Sequence, residues 1–118
     1  MAAVERVICR SVEVIERGDG IRFEAKRYGR DESAFVVRVD GRVRAFLNRC
    51  AHVPTELDWN PGKFFDAEGT MLICSTHGAL YDPDSGNCIA GPCRGRKLIE
   101  LEVAERDGLV MFKETTDE

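Results

Sequence analysis

Two short clusters, Cys50-Ala51-His52 and Cys74-Ser75-Thr76-His77, hold the side chains best suited to metal chemistry. They contain both histidines of the 118-residue chain and two of its five cysteines, and 21 residues separate His52 from Cys74. Thiolate sulfur and neutral imidazole nitrogen are the ligands that borderline and soft metals prefer. The four side chains therefore predict either a tetrahedral zinc site or an iron–sulfur cluster with two Cys on one iron and two His on the other.

The order of the ligands separates these two possibilities. Common zinc modules pair Cys with Cys in one cluster and His with His in the other, or they use four Cys. Here each cluster supplies one Cys and one His, so each loop gives a thiolate to one iron and an imidazole to the second. This symmetry favours a cluster of two irons and two sulfides (2Fe–2S) over mononuclear zinc. If both histidines were ordinary residues near buried cysteines, the repeated spacing would be accidental.

The Cys-x-His and Cys-x-x-His pair resembles the Rieske 2Fe–2S family. Rieske domains typically carry a His-Gly pair, an aromatic residue four positions after the second His, a turn with Gly, and a Gly-Pro loop that closes over the cluster. The segments that carry this further similarity are His77-Gly78, Tyr81, Asp84-Ser85-Gly86 and Gly91-Pro92. The resemblance extends over residues 6–113, nearly the whole chain.

The resemblance implies a ligand assignment. Cys50 and Cys74 bind the inner iron, and His52 and His77 bind the outer iron through their ring Nδ atoms. The imidazole edges then lie near the surface, where an electron leaves the protein. The residues implied to surround the cluster without binding iron are Gly78, Tyr81, Gly91 and Pro92.

The family comparison also bears on the reduction potential. High-potential Rieske proteins carry a disulfide between the ligand loops, at positions that are Thr55 and Thr76 here. They also bond the cluster from a Ser and a Tyr, at positions that are Ala79 and Tyr81 here. Hydrogen bonds to sulfur stabilise the more negative reduced state. We therefore expect a potential nearer the ~−150 mV end than the ~+300 mV end of the range of Rieske centres.

The composition indicates one domain, residues 1–118, with a cluster-binding subdomain over about residues 48–93. Charged residues make up 32% and hydrophobic residues 43% of the chain, which is ordinary for a globular protein. No apolar run approaches a membrane span, and no secretory signal is visible after Met1. We expect a cytoplasmic protein.

Cysteine usage supports a reducing compartment. An odd cysteine count, with two residues assigned to metal, argues against a secreted disulfide scaffold. Cys9 is expected to be a small buried residue. Cys88 and Cys93 flank the Gly-Pro loop, and thiols are favoured over a disulfide for this pair.

The net charge of −4 is unevenly distributed: residues 1–50 have a balance of +3 and residues 51–118 a balance of −7. No basic stripe with interleaved aromatic residues is present, so nucleic acid is not expected as a partner. The acidic part contains most of the metal motif. Either an acidic docking end steers the protein to a basic partner, or the charge is scattered and only solubilising.

The strand pattern predicts an all-β protein without a helix of useful length. The resemblance implies a Rieske-like antiparallel β-sandwich with a small inserted cluster-binding subdomain. Residues 28–33 are expected to form a polar connection. The segments predicted as strands are residues 4–15, 21–25, 35–47, 71–73, 80–81, 88–90, 98–103 and 109–112.

The hairpin over residues 35–47 leads directly into Cys50, so its register matters for the site. A two-residue loop places Val37 opposite Arg44 and mixes apolar with charged residues. A three-residue loop, Val39-Asp40-Gly41, places Val37 opposite Val43 instead. We expect the three-residue loop, because it keeps apolar residues on one face. The aromatic residues Trp59, Phe64 and Phe65 are expected in the core or over the cluster rather than as docking anchors.

The resemblance implies a small Rieske-type ferredoxin that carries one electron from a ferredoxin reductase to a terminal enzyme such as a Rieske non-haem iron oxygenase. No nucleotide-binding loop or activated nucleophile is visible, and the chain is too short to hold an oxygenase's separate iron domain. We therefore expect an electron carrier rather than an enzyme, monomeric or weakly oligomeric. The alternatives are the small Rieske-like subunit of an assimilatory nitrite reductase and a zinc-binding interaction module.

Overall fold

The computed structural model describes residues 3–27, 30–51, 55–58, 62–74, 78–92 and 95–115. These residues form three sheets whose strand pairs are all antiparallel, which confirms the predicted fold class. Among the described residues, no helix could span a membrane. The strands are β1 Ala3–Arg10, β2 Ile21–Arg27, β3 Arg30–Val39, β4 Arg42–Leu47, β5 Leu72–Ile73, β6 Leu80–Tyr81, β7 Cys88–Ala90, β8 Glu100–Leu101, β9 Val103–Arg106 and β10 Leu109–Thr115, with one 3-10 turn at Ser11–Glu13.

The sheets stack in three layers around β3. The central sheet has the order β2-β3-β4-β8, the outer sheet β1-β10-β9, and the small sheet β5-β6-β7. Phe35 and Val37 of β3 pack with residues of the small sheet, such as Leu72. Val36, on the opposite face of the same strand, packs with Val110 of the outer sheet. Because β3 is buried on both faces over residues 34–37, that part of the strand is continuously apolar rather than alternating.

Aromatic packing joins the small sheet and its connections to the central sheet. Phe64 is fully buried and stacks on Phe35, with ring centroids 3.9 Å apart and planes 13° from parallel. Gly86 lies in the turn between β6 and β7 at φ +83°, and a Cβ there would be 2.8 Å from the Phe46 ring. The predicted core role of Phe64 is confirmed; Phe65 is half-buried, and Trp59 lies outside the described residues.

The register predicted for the hairpin before Cys50 is wrong. Val37 pairs with Arg44, so the connection is the two-residue loop Asp40-Gly41. Both loop residues have positive φ, 52° and 82°, as the hairpin turn matching the strand twist requires. The prediction relied on one apolar face, but β3 is buried on both, so the sequence pattern could not select between the two registers.

Two other strand predictions need correction. β3 begins at Arg30, so the described part of the expected connection over residues 28–33 is strand paired with β2. The segment predicted as a strand over residues 98–103 instead contains β8, which pairs with β4, and the start of β9, which pairs with β10. The chain crosses from the central to the outer sheet at Glu102. The local sequence pattern does not predict this change of sheet.

Candidate iron–sulfur site

The first predicted ligand loop begins three residues after β4. Cys50 is 3% exposed, and its backbone N–H donates to the Thr55 carbonyl at 2.8 Å. Two residues earlier, the Asn48 backbone N–H donates to the Ser33 carbonyl of β3 at 2.8 Å. The loop is thus bonded at both ends, so the position of the Cys50 sulfur follows from the central sheet.

A buried polar network, not predicted from the sequence, supports this loop. Asn48 accepts from the Leu57 backbone N–H at 2.8 Å and donates its amide to Asp58 at 2.9 Å. The other Asp58 oxygen accepts from the Gly62 N–H at 3.0 Å and lies 3.6 Å from Nε of Arg22. Buried polar groups cost free energy unless bonded. The two contacts of Asn48 join the loop to the segment that follows it, and Asp58 connects that segment to Arg22 of β2.

The second predicted ligand loop follows β5. Cys74 is fully buried; its N–H donates to the Ala79 carbonyl at 2.9 Å, and its own carbonyl accepts from the Gly78 N–H at 2.8 Å. Gly78 is exposed and has φ +73°, a conformation that residues with a side chain rarely adopt. These two bonds close a tight turn immediately before β6, so the Cys74 sulfur is held at the edge of the small sheet.

Tyr81 of β6 connects the two loops. Its ring is fully buried, and its oxygen accepts from the Ala51 N–H at 2.9 Å. The same hydroxyl lies 3.2 Å from the Cys50 sulfur. A cysteine that binds iron is a thiolate and can only accept, so with Cys50 as a ligand the Tyr81 hydroxyl is the donor, as the resemblance implies for this tyrosine.

The surroundings of Tyr81 hold its hydroxyl in the protonated form. Burial raises the pKa of Tyr81 above its ordinary value; the hydrogen bond to Cys50 and the charges of Cys50 and Cys74 raise it further. The hydroxyl therefore keeps its proton throughout the physiological range. It can serve as a permanent hydrogen-bond donor to a sulfur ligand.

A third segment, whose described residues are 87–92 and 95–97, closes over the small sheet. Gly91 has φ +96°, and a Cβ there would be 3.0 Å from Cα of Ala79, so only glycine fits against the second loop. Pro92 follows and is exposed. From the return arm of this segment, Arg96 donates from Nη1 to the Ala51 carbonyl at 3.1 Å. The segment thus contacts both predicted ligand loops.

The described residues fit the sulfur side of a 2Fe–2S cluster. Cys50 and Cys74 are buried thiols outside any disulfide, in the same buried cluster as Tyr81, whose hydroxyl contacts the Cys50 sulfur. His52 and His77, the other two predicted ligands, lie outside the described residues. Accordingly, no three His, Cys, Asp or Glu side chains in the described ranges form a metal-binding group.

The remaining cysteines divide into two kinds. Cys9 is 8% exposed, and burial, followed by the charge of Glu13, raises the pKa of its thiol, so it is a buried, unreactive residue as predicted. The prediction that Cys88 is a thiol is wrong, because Cys88 is disulfide-bonded. Cys93, the other cysteine of the predicted thiol pair, lies outside the described residues. The prediction was based on compartment alone, which does not show whether two sulfurs are close in space.

A sequence model of the Rieske [2Fe–2S] domain matches residues 5–111. The chain belongs to the Rieske [2Fe–2S] domain family. The cofactor of this Rieske domain is therefore a 2Fe–2S cluster, as predicted from the ligand order. A search of curated protein sequences gave no match.

Solved structures share the fold of this Rieske domain. The ferredoxin of carbazole 1,9a-dioxygenase from Nocardioides aromaticivorans IC177 is 21% identical with a TM-score of 0.68, over 92% of this chain and 96% of that one. The Sphingomonas yanoikuyae B1 ferredoxin is 24% identical with a TM-score of 0.70, over 95% and 100%. The terminal oxygenase of carbazole 1,9a-dioxygenase from the Nocardioides strain is 21% identical with a TM-score of 0.71, over 97% of this chain but 31% of that one.

Proposed function

We propose that this Rieske domain is a ferredoxin: it takes one electron from a ferredoxin reductase and passes it to a Rieske-type oxygenase. The two ferredoxins above match over nearly their full length, and a related solved structure holds an oxidised ferredoxin in complex with a reduced oxygenase. The cluster, when bound, supplies the one-electron redox centre. The protein's part is to hold it, set its potential and present it to partners.

The observation that carries the proposal is that Cys50 and Cys74 are buried in one cluster with Tyr81, whose hydroxyl lies 3.2 Å from the Cys50 sulfur. We propose that these two thiolates bind one iron and that His52 and His77 bind the other. Gly78, Tyr81, Gly91 and Pro92 surround the cluster. Residues 48–93 form the cluster-binding part of a single domain, residues 1–118.

The test is an electron paramagnetic resonance (EPR) spectrum of anaerobically purified protein before and after dithionite, with iron, sulfide and zinc counted on the same sample. We expect two irons and two sulfides per chain and a reduced signal of the low average g value typical of mixed Cys and His ligation. One zinc per chain without iron or colour would overturn the proposal.

Single substitutions test the ligand assignment. Cys50→Ser, Cys74→Ser, His52→Ala and His77→Ala are each expected to abolish the reduced signal. Cys9→Ser is the matched control, because Cys9 is also a buried thiol but lies in a different hydrophobic cluster. A ligand variant that keeps the full signal would remove that residue from the assignment.

The proposed carrier works in the cytoplasm as a monomer or weak oligomer, and neither nucleic acid nor membrane is a partner. Size-exclusion chromatography of lysate from the source cells tests the carrier against an enzyme subunit. Elution at the size of one or two chains supports the carrier. Co-elution with a large flavin- or sirohaem-containing protein would instead indicate the nitrite reductase subunit.

A further inference from the structure

The third segment forms a hairpin beside the predicted ligand loops; we call its described residues 87–92 and 95–97 the cationic hairpin. The Cys88 N–H donates to the Arg96 carbonyl at 2.9 Å, and Asn87 pairs with Lys97 in an isolated bridge. The bend between the arms begins at Gly91, which packs against Ala79 of the second loop. The hairpin is therefore fixed to the small sheet by backbone contacts.

The outer surface of the cationic hairpin is exposed next to the first ligand loop. Arg96 reaches the carbonyl of Ala51, the residue between Cys50 and His52. Pro92, Arg96 and Lys97 are all exposed. Ile89, in the same hairpin, is 43% exposed, which makes it one of the few large apolar side chains at the surface. The surface thus combines a small apolar area with two cations beside the first ligand loop. We call this end of the molecule, where the proposed function has the electron leave, the electron-exit end.

No carboxylate in the described ranges pairs with Arg96 or Lys97 within salt-bridge distance. The acidic residues nearest to them along the described chain, Asp84 and Glu100, both pair with Arg44 of the central sheet. The described cationic hairpin is thus a positive area on a chain whose net charge is −4.

The acidic residues of the second half nearest to the ligand loops are either paired with arginine or lie away from these loops. The turn containing Asp82 and Asp84 is at the far end of β6 from the second ligand loop, where Gly86 rests on Phe46 of the central sheet. Beside the first loop, Glu56 pairs with Arg22. The acidic balance of residues 51–118 therefore does not produce an acidic electron-exit end among the described residues.

We propose that the cationic hairpin docks an acidic surface of a redox protein, one that presents carboxylates around its own cofactor. The inference rests on the proposed function, since it takes the cluster end as the route of the electron. Opposite charges at the contact increase the rate of encounter and fix orientation, while Ile89 and Pro92 supply apolar contact area. The sign is opposite to the one that the net charge suggests.

Small redox ions of known charge test the sign directly. Protein reduced with dithionite and freed of excess reductant is mixed by stopped flow with ferricyanide, which takes one electron and becomes ferrocyanide, or with hexaammineruthenium(III), a cationic one-electron oxidant. The rate constants are measured from about 10 mM to about 0.2 M ionic strength, where screening changes most. We expect the ferricyanide rate to fall roughly 3- to 10-fold over this range and the ruthenium rate to rise.

Matched substitutions locate the effect. Arg96→Gln and Lys97→Gln should each lower the ferricyanide rate at low salt about 2-fold or more, and the double variant should remove its salt dependence. Arg96→Lys should retain most of the rate. Arg42→Gln is the control: Arg42 is exposed at the opposite end of β4 from the first ligand loop, and its substitution removes the same charge.

The EPR signal and midpoint potential of every variant are recorded on the same samples, to separate a charge effect from damage to the cluster. A ferricyanide rate that rises with salt in the unmodified protein would overturn the docking proposal. An equal loss of rate in Arg42→Gln and Arg96→Gln would overturn it as well. If no 2Fe–2S signal forms at all, it is the proposed function that fails.

Discussion

At the scale of single side chains, the hydroxyl of Tyr81 acts on two neighbours at once. It accepts from the Ala51 N–H at 2.9 Å and contacts the Cys50 sulfur at 3.2 Å. The first contact fixes the loop, and the second stabilises negative charge on sulfur. Removal of the hydroxyl alone should therefore change the reduction potential without removing the buried ring.

We expect Tyr81→Phe to keep the cluster and to lower its potential. Loss of about 1–1.5 kcal/mol of hydrogen bonding to the reduced state corresponds to roughly 40–65 mV for a one-electron couple. Protein-film voltammetry measures the shift, and iron counts confirm that the cluster is intact. Ala79→Ser, which adds a hydroxyl at the family's other donor position, should shift the potential upward. An unchanged potential in Tyr81→Phe would show that its hydroxyl does not bond the sulfur.

Asn48 has a structural role of similar weight. In Asn48→Ala, the Leu57 N–H and one Asp58 oxygen lose their buried partner, so unfolding should become easier by about 1–3 kcal/mol. Urea denaturation measures this, and iron retention reports on the first ligand loop. Asn87→Ala, at an exposed position, is the control and should change stability by less than ~0.5 kcal/mol. Equal effects in both variants would contradict a special role for Asn48.

Residue-scale chemistry was the part most accessible from sequence. Cys50 and Cys74 were predicted as iron ligands from their spacing, and both are buried thiols, although their binding of iron stays a prediction. The contact of Tyr81 with sulfur was implied by the family resemblance. Asn48 and Asp58 were missed because a hydrogen bond between residues ten apart depends on loop geometry that no pattern encodes. Cys88 was misjudged for a related reason, since disulfide formation needs proximity in space.

Among the elements, the contact of the third segment with the second loop leaves no room for a side chain at Gly91. Gly91→Ala should destabilise the protein by about 1–3 kcal/mol, because the new Cβ meets backbone at 3.0 Å and φ is +96°. Gly95→Ala isolates the conformational cost: its φ is +87°, but nothing lies within 4 Å of the added carbon. Thermal unfolding of both variants measures the difference. If Gly95→Ala were as costly as Gly91→Ala, the contact with Ala79 would contribute nothing.

Strand positions were largely predictable, and strand partners were not. β2, β6 and β7 lie where alternating or short apolar segments indicated. The register at Asp40-Gly41 was missed because β3 is buried on both faces. The division of residues 98–103 between two sheets depends on the packing of the whole molecule, which local pattern does not report.

At the scale of the whole molecule, Arg38 connects three parts of the structure. It belongs to β3 of the central sheet and bonds both the segment that follows β1 and strand β9 of the outer sheet. It donates to the Val14 and Ser11 carbonyls at 2.9 and 3.1 Å and forms a two-pronged ion pair with Glu105 of β9, at 2.9 and 2.6 Å. The hydrogen bonds from Arg38 lower the pKa of Glu105 below its ordinary value of 4.5. The pair's contribution to stability is therefore fully present above that value and is lost as the pH falls through the lowered pKa.

Glu105→Gln should destabilise the protein by about 1.5–3 kcal/mol near pH 7, and the deficit should shrink as the pH falls below about 4. Urea unfolding at several pH values measures this dependence. Glu102→Gln is the control, because its ion pair with Lys113 is largely exposed and contributes less than ~1 kcal/mol. A deficit for Glu105→Gln that is the same at every pH would contradict the ion-pair explanation.

The small sheet has strands of only two or three residues, so few backbone hydrogen bonds hold it together. A sheet of this size is not stable alone, and its order depends on the central sheet and on whatever joins Cys50 to Cys74. Loss of the cluster should therefore leave slow amide hydrogen exchange in β3 and β4 while exchange in β5–β7 accelerates. Deuterium uptake in the small sheet would then report whether the cluster is bound. The cluster would act as a cross-link that stabilises this one layer, and the two larger sheets would fold without it.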